Sequence, residues 1–493
     1  MYINAYTQMT DSEYKNAILE KAKDFKNKGD LDNAEAVLKK YHALIPSDFE
    51  ATWLYAQTAY QNKNFDMSIL IYQEALELQP KNYPLKLDFG KMLLDIGEYD
   101  AADTLIDKYL KFEPGNVEAL MCKTRILYRE GKYDETFNSA GNVLSKEPGN
   151  KEAKRIREEI EFLKIPWFKF NFSYFNDNQP MSGYTPSLEG GLYLGAASFI
   201  NFKIQPLIFE RQQNTLNINW LQVENRIRVG KEDLDITLGA GIIKYPDADA
   251  ILTGKLRLDK VIERKFLLSL FGERKPYVST IASFDTTVIQ NYTGASIELL
   301  SKDNWTGKLA GEGNIFADDN FNYSLYSWVL SPSLKISDFD FKFGAGMSWS
   351  TSKHSRFVSE KTLEQIESEY TPSYTIKGIY KPYFTPQSEY INTAIAKMIF
   401  HPMKEFQLGL NVNFGFIALN EKPFLYLAAD SSNNKYMARE FTSGSFQPWD
   451  VTTYLIIQPS KKFSLSAEFN YTSTSFFIRR YLGLGFKMHF FND

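Results

Sequence analysis

The sequence predicts a two-part α+β chain: an all-α repeat solenoid followed by an antiparallel transmembrane β-barrel of about 16 strands. Three observations predict it. Pro46, Pro80, Pro114 and Pro148 follow one another at a spacing of 34 residues, which marks a structural repeat. From Trp167 onward apolar and polar residues alternate one by one, the period of a strand. Aromatic residues make up 15% of the chain and gather after residue 166, more than a soluble core needs and in keeping with the aromatic girdles of membrane barrels. The two patterns meet in "EEIEFLKIPWFKFNFSYFND", with Pro166 at the junction.

Composition narrows the function classes. Fifty-six basic and 60 acidic side chains leave a net charge of −4, so no nucleic-acid partner is indicated. The single cysteine, Cys122, excludes a disulfide framework and a thiolate metal site, and reads as a small core residue in a helix. No apolar run approaches the ~20 residues of a membrane-crossing helix, so any membrane span rests on strands. The opening "MYINAYTQ" has neither a basic nor an apolar region and is not a complete signal peptide. Residues 1–12 are therefore read either as a disordered leader or as the remnant of a signal peptide.

Residues 13–165 are the repeat domain. Around the four prolines the segments "KGDLDNAEAVLKKYHALIP", "KNFDMSILIYQEALELQP", "IGEYDAADTLIDKYLKFEP" and "EGKYDETFNSAGNVLSKEP" share a turn followed by an apolar or aromatic residue. They resemble the tetratricopeptide repeat. The small residue of the second helix is Ala34 and Ala102 in two repeats and Ser68 and Thr136 in the others. Lys151 to Lys164, with Ile156, Ile160 and Leu163 on one side, reads as the capping helix that a stacked array needs. The resemblance implies a groove lined by first helices. Carried onto this chain, its positions are Glu50, Trp53, Gln57, Tyr60, Lys91, Glu118, Arg125 and Tyr128. Such arrays bind protein segments.

Residues 166–493 are the barrel domain. "LNINWLQVENRIRVG" sets Gln222, Glu224, Arg226 and Arg228 on one face and Leu221, Val223, Ile227 and Val229 on the other. "FQLGLNVNFGFIAL", "FSLSAEFNYTST" and "DFDFKFGAGMSWS" alternate in the same way. Charges opposite apolar side chains suit water inside and lipid outside. Short turns ("GKEDL", "HPMKE", "QPSKK") mix with long loops over 351–373 and 429–447, as on the two rims of an outer-membrane barrel. The final "YLGLGFKMHFF" resembles the C-terminal signal of such barrels. At roughly 20 residues per strand and connection the segment holds about 16 strands, and a barrel of that size has an aqueous lumen.

The whole architecture resembles exopolysaccharide-export proteins of the outer membrane, of the cellulose and poly-N-acetylglucosamine type. Local likeness lies in "ERKPYVSTIASFD", "NWTGKLAGEGNIFADDNFNYSLYSWVLSPSL" and "YKPYFTPQSEY". The resemblance implies a Gram-negative outer-membrane export porin in contact with outer-membrane lipid and a polysaccharide chain. Its repeats would stand in the periplasm and recruit periplasmic or inner-membrane synthase-complex proteins, and no cofactor is implied. A neutral glycan needs aromatic faces and hydroxyl partners. Trp305, Asp319, Asn320, Tyr323, Trp328, Tyr380, Tyr383, Phe384 and Gln387 supply both kinds, and Glu224, Arg226 and Arg228 set a lumen field. Membrane-girdle anchoring is the competing use of each aromatic residue. Adjacent Asp318 and Asp319 point apart in a strand and meet only if a turn holds them. Catalysis is not indicated: the four histidines are scattered, and an enzyme would need His354 or His401 beside a serine and a carboxylate. The rival function is a repeat-based adaptor anchored by a plugged barrel.

Overall fold

The computed structural model describes residues 11–490 apart from 213, 264, 302–303 and 370–375. The leader is thus outside the described residues over 1–10, as is the end of the 351–373 loop. Contacts divide the chain into a unit ending at Phe162 and one beginning at Leu163.

The first unit is four helix pairs and a cap. The pairs are α1 (Asp11–Asn27) with α2 (Leu31–Leu44), α3 (Phe49–Gln61) with α4 (Phe65–Leu78), α5 (Tyr83–Ile96) with α6 (Tyr99–Phe112), and α7 (Val117–Arg129) with α8 (Tyr133–Lys146). The capping helix is α9 (Lys151–Lys164). Each repeat proline sits two residues beyond a helix end, where it cannot continue the helix. Two residues later an Asp or Asn caps the next helix: Asp48, Asn82, Asn116 and Asn150 each accept from the backbone N–H three positions on. That bond satisfies a donor the helix start leaves orphaned. Ala34, Ser68, Ala102 and Thr136 are fully buried. The two hydroxyls among them are satisfied by backbone carbonyls, Ser68 by Ala56 and Thr136 by Lys132, so the polar replacements cost little. Gly90 is small for a packing reason: a Cβ there would lie 2.9 Å from Ile106 Cδ1.

The second unit is a closed antiparallel barrel of sixteen wall strands. In chain order come β1 (Trp167–Asp177), β2 (Met181–Gly195), β3 (Ser198–Arg211), β4 (Asn214–Val229) and β5 (Leu234–Lys244). Next are β6 (Ile251–Ile262), β7 (Phe266–Pro276), β8 (Ile289–Leu299), β9 (Thr306–Phe316) and β10 (Phe321–Leu330). After the short β11 (Leu334–Ile336) and the wall strand β12 (Phe339–Ser352), a long connection carries β13 (Phe357–Ser359), α10 (Leu363–Glu369) and β14 (Gly378–Tyr380). The chain ends with β15 (Glu389–Met403), β16 (Phe406–Ala429), β17 (Lys435–Ser445), β18 (Trp449–Ile457), β19 (Phe463–Ser473) and β20 (Ile478–His489). Strand β1 pairs with β2 on one side and β20 on the other, which abolishes the sheet edge.

Alternation assigns the two faces. Leu221 and Val223 are about half exposed while Gln222 between them is 9% exposed. Phe170, Leu188, Ile204, Leu256, Leu270, Leu309, Leu465 and Leu484 share that outward exposure, forming the apolar belt a lipid bilayer covers. The termini-side rim has short turns throughout. The opposite rim carries the long excursions: 277–288, 353–388 and the β16–β17 hairpin. The stretch 429–447, expected as a loop, is thus largely a strand: β16 runs past its pairing with β18, turns at 430–434 and returns as β17. Its polar residues outnumber Tyr436, Met437 and Phe441, so its composition reads as a loop although its backbone pairs.

Candidate functional site

The barrel interior is lined by lysines laid over aromatic rings. Lys487 lies over Trp167, Lys275 over Tyr292 and Lys397 over Trp328, with Nζ to ring-centre distances of 4.5, 4.1 and 5.6 Å. Lys203 over Trp220 and Lys308 over Tyr326 are slightly longer, at 5.9 and 5.8 Å. Strand period explains the clustering: each of these residues shares parity with the polar face of its strand, and register brings the pair together. Carboxylates fill the gaps. Lys255 Nζ is 2.9 Å from Glu224, Arg226 is 2.9 Å from Asp235, and Arg228 reaches both Asp233 and Asp235. Tyr326 donates to Glu312 at 2.7 Å. The result is rings with apolar faces set among donors and acceptors, in a lumen that holds both signs of charge.

Glu224, Arg226, Arg228 and Trp328 all lie on this inner face, whereas two of the aromatic candidates do not. Tyr323 has the parity of Leu325, is exposed, and meets Trp349 edge-on at 6.0 Å on the outside. Trp305 is 54% exposed at the rim just before β9. Both positions suit a membrane girdle, because the outward parity that carries Leu309 and Leu325 into lipid carries these rings too. Trp167, the first residue of β1, faces the lumen beneath Lys487.

The remaining candidates belong to the far mouth, which loops close. Tyr383 is 1% exposed. Its ring stacks on Phe316 at 3.5 Å between centroids, and Tyr277 packs edge-on against it. Its hydroxyl lies 2.7 Å from Asp318 Oδ1, and Arg356 forms an ion pair with the same carboxylate. Burial is the main cause that pushes the Tyr383 phenol up. The backbone is held as firmly. Phe384 N–H donates to Tyr277 Oη at 3.0 Å, Asn322 Nδ2 donates to the Phe384 carbonyl at 2.8 Å, and Thr280 bonds the Pro382 carbonyl. Lys381–Pro382 is a cis peptide. Phe384 stacks on Phe476 at 4.4 Å, with Tyr380 edge-on to both. Gln387 contributes its carbonyl, which accepts from Glu421 N–H.

The 277–288 loop folds inward below this hub. Phe284 is buried against the inner-face residues Leu207, Phe209, Leu216 and Ile218, and Gln179 from the β1–β2 turn donates to the Ser279 carbonyl at 3.2 Å. Those turns stand six strands apart around the wall, so the bond spans the opening. Asn320 is fully buried and exchanges bonds with the backbone of His354. Asp319 has φ of +57° in the same turn, and its carbonyl accepts from Lys353. The turn is what lets Asp318 turn inward. Of the two histidines considered for catalysis, His401 lies 3.4 Å from Asp340 at the short-turn rim. Among the described residues neither His401 nor His354 is bonded to a serine. No cluster of metal-ligating side chains occurs among the described residues.

In the helical unit the groove candidates form a ladder between first helices. Trp53 Nε1 and Gln57 Nε2 on α3 both donate to Asp88 Oδ2 on α5 at 2.7 Å, joined there by Tyr72 of α4. Tyr60 donates to Asp95 at 2.7 Å. Lys91 pairs with Glu118, Arg125 with Glu152 through two bonds, and Tyr128 with Glu159. Glu50 starts α3 beside its Asp48 cap. Burial, with help from the Asp95 carboxylate, pushes the Tyr60 phenol up to about 12. Sequence reasoning missed the acceptors Asp88 and Asp95 and the mouth residues Arg356, Tyr277 and Thr280, and it weighed Asp318 only as a partner of Asp319. The acceptors carried a signal: they lie 35 residues after Trp53 and Tyr60, one repeat plus one position on.

Residues 19–83 match the tetratricopeptide-repeat family model. No curated protein matches the chain. Among solved structures, the chain is similar to a bacterial polysaccharide outer membrane secretin at 7% identity and a TM-score of 0.48, over 66% of this chain and 99% of that one. It is also similar to a tetratricopeptide repeat protein from Parabacteroides merdae, at 20% identity and a TM-score of 0.29, over 30% and 59%. MamA from Desulfovibrio magneticus gives 13% identity and a TM-score of 0.29, over 30% and 84%. This chain's own helices and strands define the class: a tetratricopeptide-like helical array followed by a closed sixteen-strand transmembrane β-barrel.

Proposed function

We propose that this chain is an outer-membrane export porin of a Gram-negative cell, passing a secreted polysaccharide outward. Its repeats stand in the periplasm and recruit synthesis or modification partners. The observation that carries this reading is the belt of lysine-covered aromatic rings inside a sixteen-strand lumen. Ring faces stack on sugar C–H surfaces, and the flanking carboxylates, amides and lysines exchange hydrogen bonds with hydroxyls. Nothing in that chemistry needs a covalent step, a cofactor or a metal. Export then requires the far mouth to open.

The closed mouth favours a second reading, an adaptor whose barrel is only an anchor. Conductance in planar bilayers separates the two. The full chain is expected to conduct weakly. A variant with Tyr383→Phe and Asp318→Asn together is expected to open and to be blocked by cello-oligosaccharides added to the bilayer. If the lumen stays non-conducting even when residues 353–388 are replaced by a short turn, the export reading fails and the adaptor reading stands.

A further inference from the structure

The inner wall from β1 to β7 forms an open bay of about 530 Å³, within the range of small-molecule sites. Its charges cancel, because Glu189, Glu224 and Glu273 line it together with Lys203, Lys255 and Lys275. They stand in pairs: Lys255–Glu224 at 2.9 Å, Lys203–Glu189 at 3.8 Å and Lys275–Glu273 at 4.0 Å. An anionic polymer entering here meets a carboxylate beside every ammonium group, and a cationic one meets the reverse. Neither gains net attraction without breaking a pair that already exists. A hydroxyl fits both partners at once, accepting from the lysine and donating to the glutamate.

Two further groups ask for the same chemistry. Gln205 and Trp220 are direct register partners on β3 and β4, and both line the bay. Trp220 Nε1 and Gln205 Oε1 are shielded yet have no hydrogen-bond partner in the protein, a cost that native structures seldom leave standing. After a turn of the flexible Gln205 side chain, one hydroxyl can accept from the indole and donate to the amide oxygen. An ionised carboxylate has no proton to donate, and an ammonium group cannot accept. We propose that this bay is a subsite for an uncharged glycosyl residue and selects cargo by charge. The proposal rests on the export reading for the cargo's arrival, but binding is measurable without transport.

The test is calorimetric titration of the full chain in detergent at pH 6 with cellohexaose, a galacturonic acid hexamer and a glucosamine hexamer. Cellohexaose is expected to bind at least tenfold more tightly than either charged hexamer. Trp220→Phe and Gln205→Leu should each weaken it about fivefold, with folding checked by the heat-dependent gel mobility of the barrel. Lys203→Gln with Lys255→Gln, which leaves carboxylates in excess, should turn the preference toward the glucosamine hexamer, and it decides the matter if the other variants do not fold. Equal binding of a charged hexamer, no binding of cellohexaose by the unaltered chain, or an unchanged preference in the double lysine variant overturns the proposal. Selective binding in a barrel that never conducts removes export and keeps the subsite. Conductance without selective binding does the reverse.

Discussion

At the scale of single residues, one carboxylate gathers two of the side-chain bonds that hold the far mouth. Asp318 takes the Tyr383 hydroxyl and the Arg356 guanidinium together, and a hydrogen bond to an ionised group contributes about 1.5–3 kcal/mol. Tyr383→Phe removes one of these while leaving ring stacking on Phe316 intact. The variant is expected to be cut faster by trypsin between residues 353 and 388, with the barrel's melting unchanged; equal cleavage rates would show that the bond does not hold the mouth. Tyr277 supplies a pH test. Burial pushes its phenol up to about 12, against about 10 in an unfolded chain. The closed mouth therefore keeps a proton that the open one releases. Its contribution is whole below pH ~10 and is lost as pH climbs toward 12. Absorbance at 295 nm, taken as the difference between the unaltered chain and Tyr277→Phe, should titrate near 12. A midpoint near 10 would mean that Tyr277 is not enclosed.

At the scale of elements, the first helices are joined by bonds that run from each repeat to the next, and Asp88 is the busiest acceptor, taking Trp53, Gln57 and Tyr72. Asp88→Ala strands three donors in a half-buried seam. The expected loss is about 2–4 kcal/mol, since the donors lose a charged acceptor and regain only part of it from water. Helical circular dichroism of the full chain should melt several degrees lower, and Asp95→Ala, which releases only Tyr60, should cost less. These elements were legible in the sequence for a physical reason. Stacked helix pairs write their 34-residue period into the prolines, and a two-sided wall writes its period of two into every strand. Parity alone set Glu224, Arg226 and Arg228 on the polar face, whereas Trp328 was named for its ring. The mouth was not legible, because its bonds join residues far apart in the chain, such as Phe384 to Tyr277 across 107 positions. Strand reasoning also pointed Asp318 and Asp319 apart, and only the left-handed turn at Asp319 frees Asp318 to serve the hub. Trp305 and Tyr323 read as sugar partners by side-chain type alone, while their parity, shared with Leu309 and Leu325, turns both outward.

At the scale of the whole molecule, the two units are stabilised by different physics and should fail separately. The helical unit is a quasi-linear stack in which each repeat rests on its neighbours, so denaturant acts on short-range interfaces. The barrel has no free edge, since β1 closes on β20 over eleven register pairs, and its outward belt is covered by lipid or detergent rather than water. Urea weakens burial from water and solvates exposed peptide groups, and it finds few of either on the barrel wall. The full chain in detergent should therefore unfold in two steps. The helical signal at 222 nm should be lost first, while heat-dependent gel mobility, which reports the closed barrel, persists to much higher urea. Asp88→Ala should move the first step alone, and Tyr383→Phe should move neither. One cooperative transition seen by both probes would overturn the claim that the two units unfold independently.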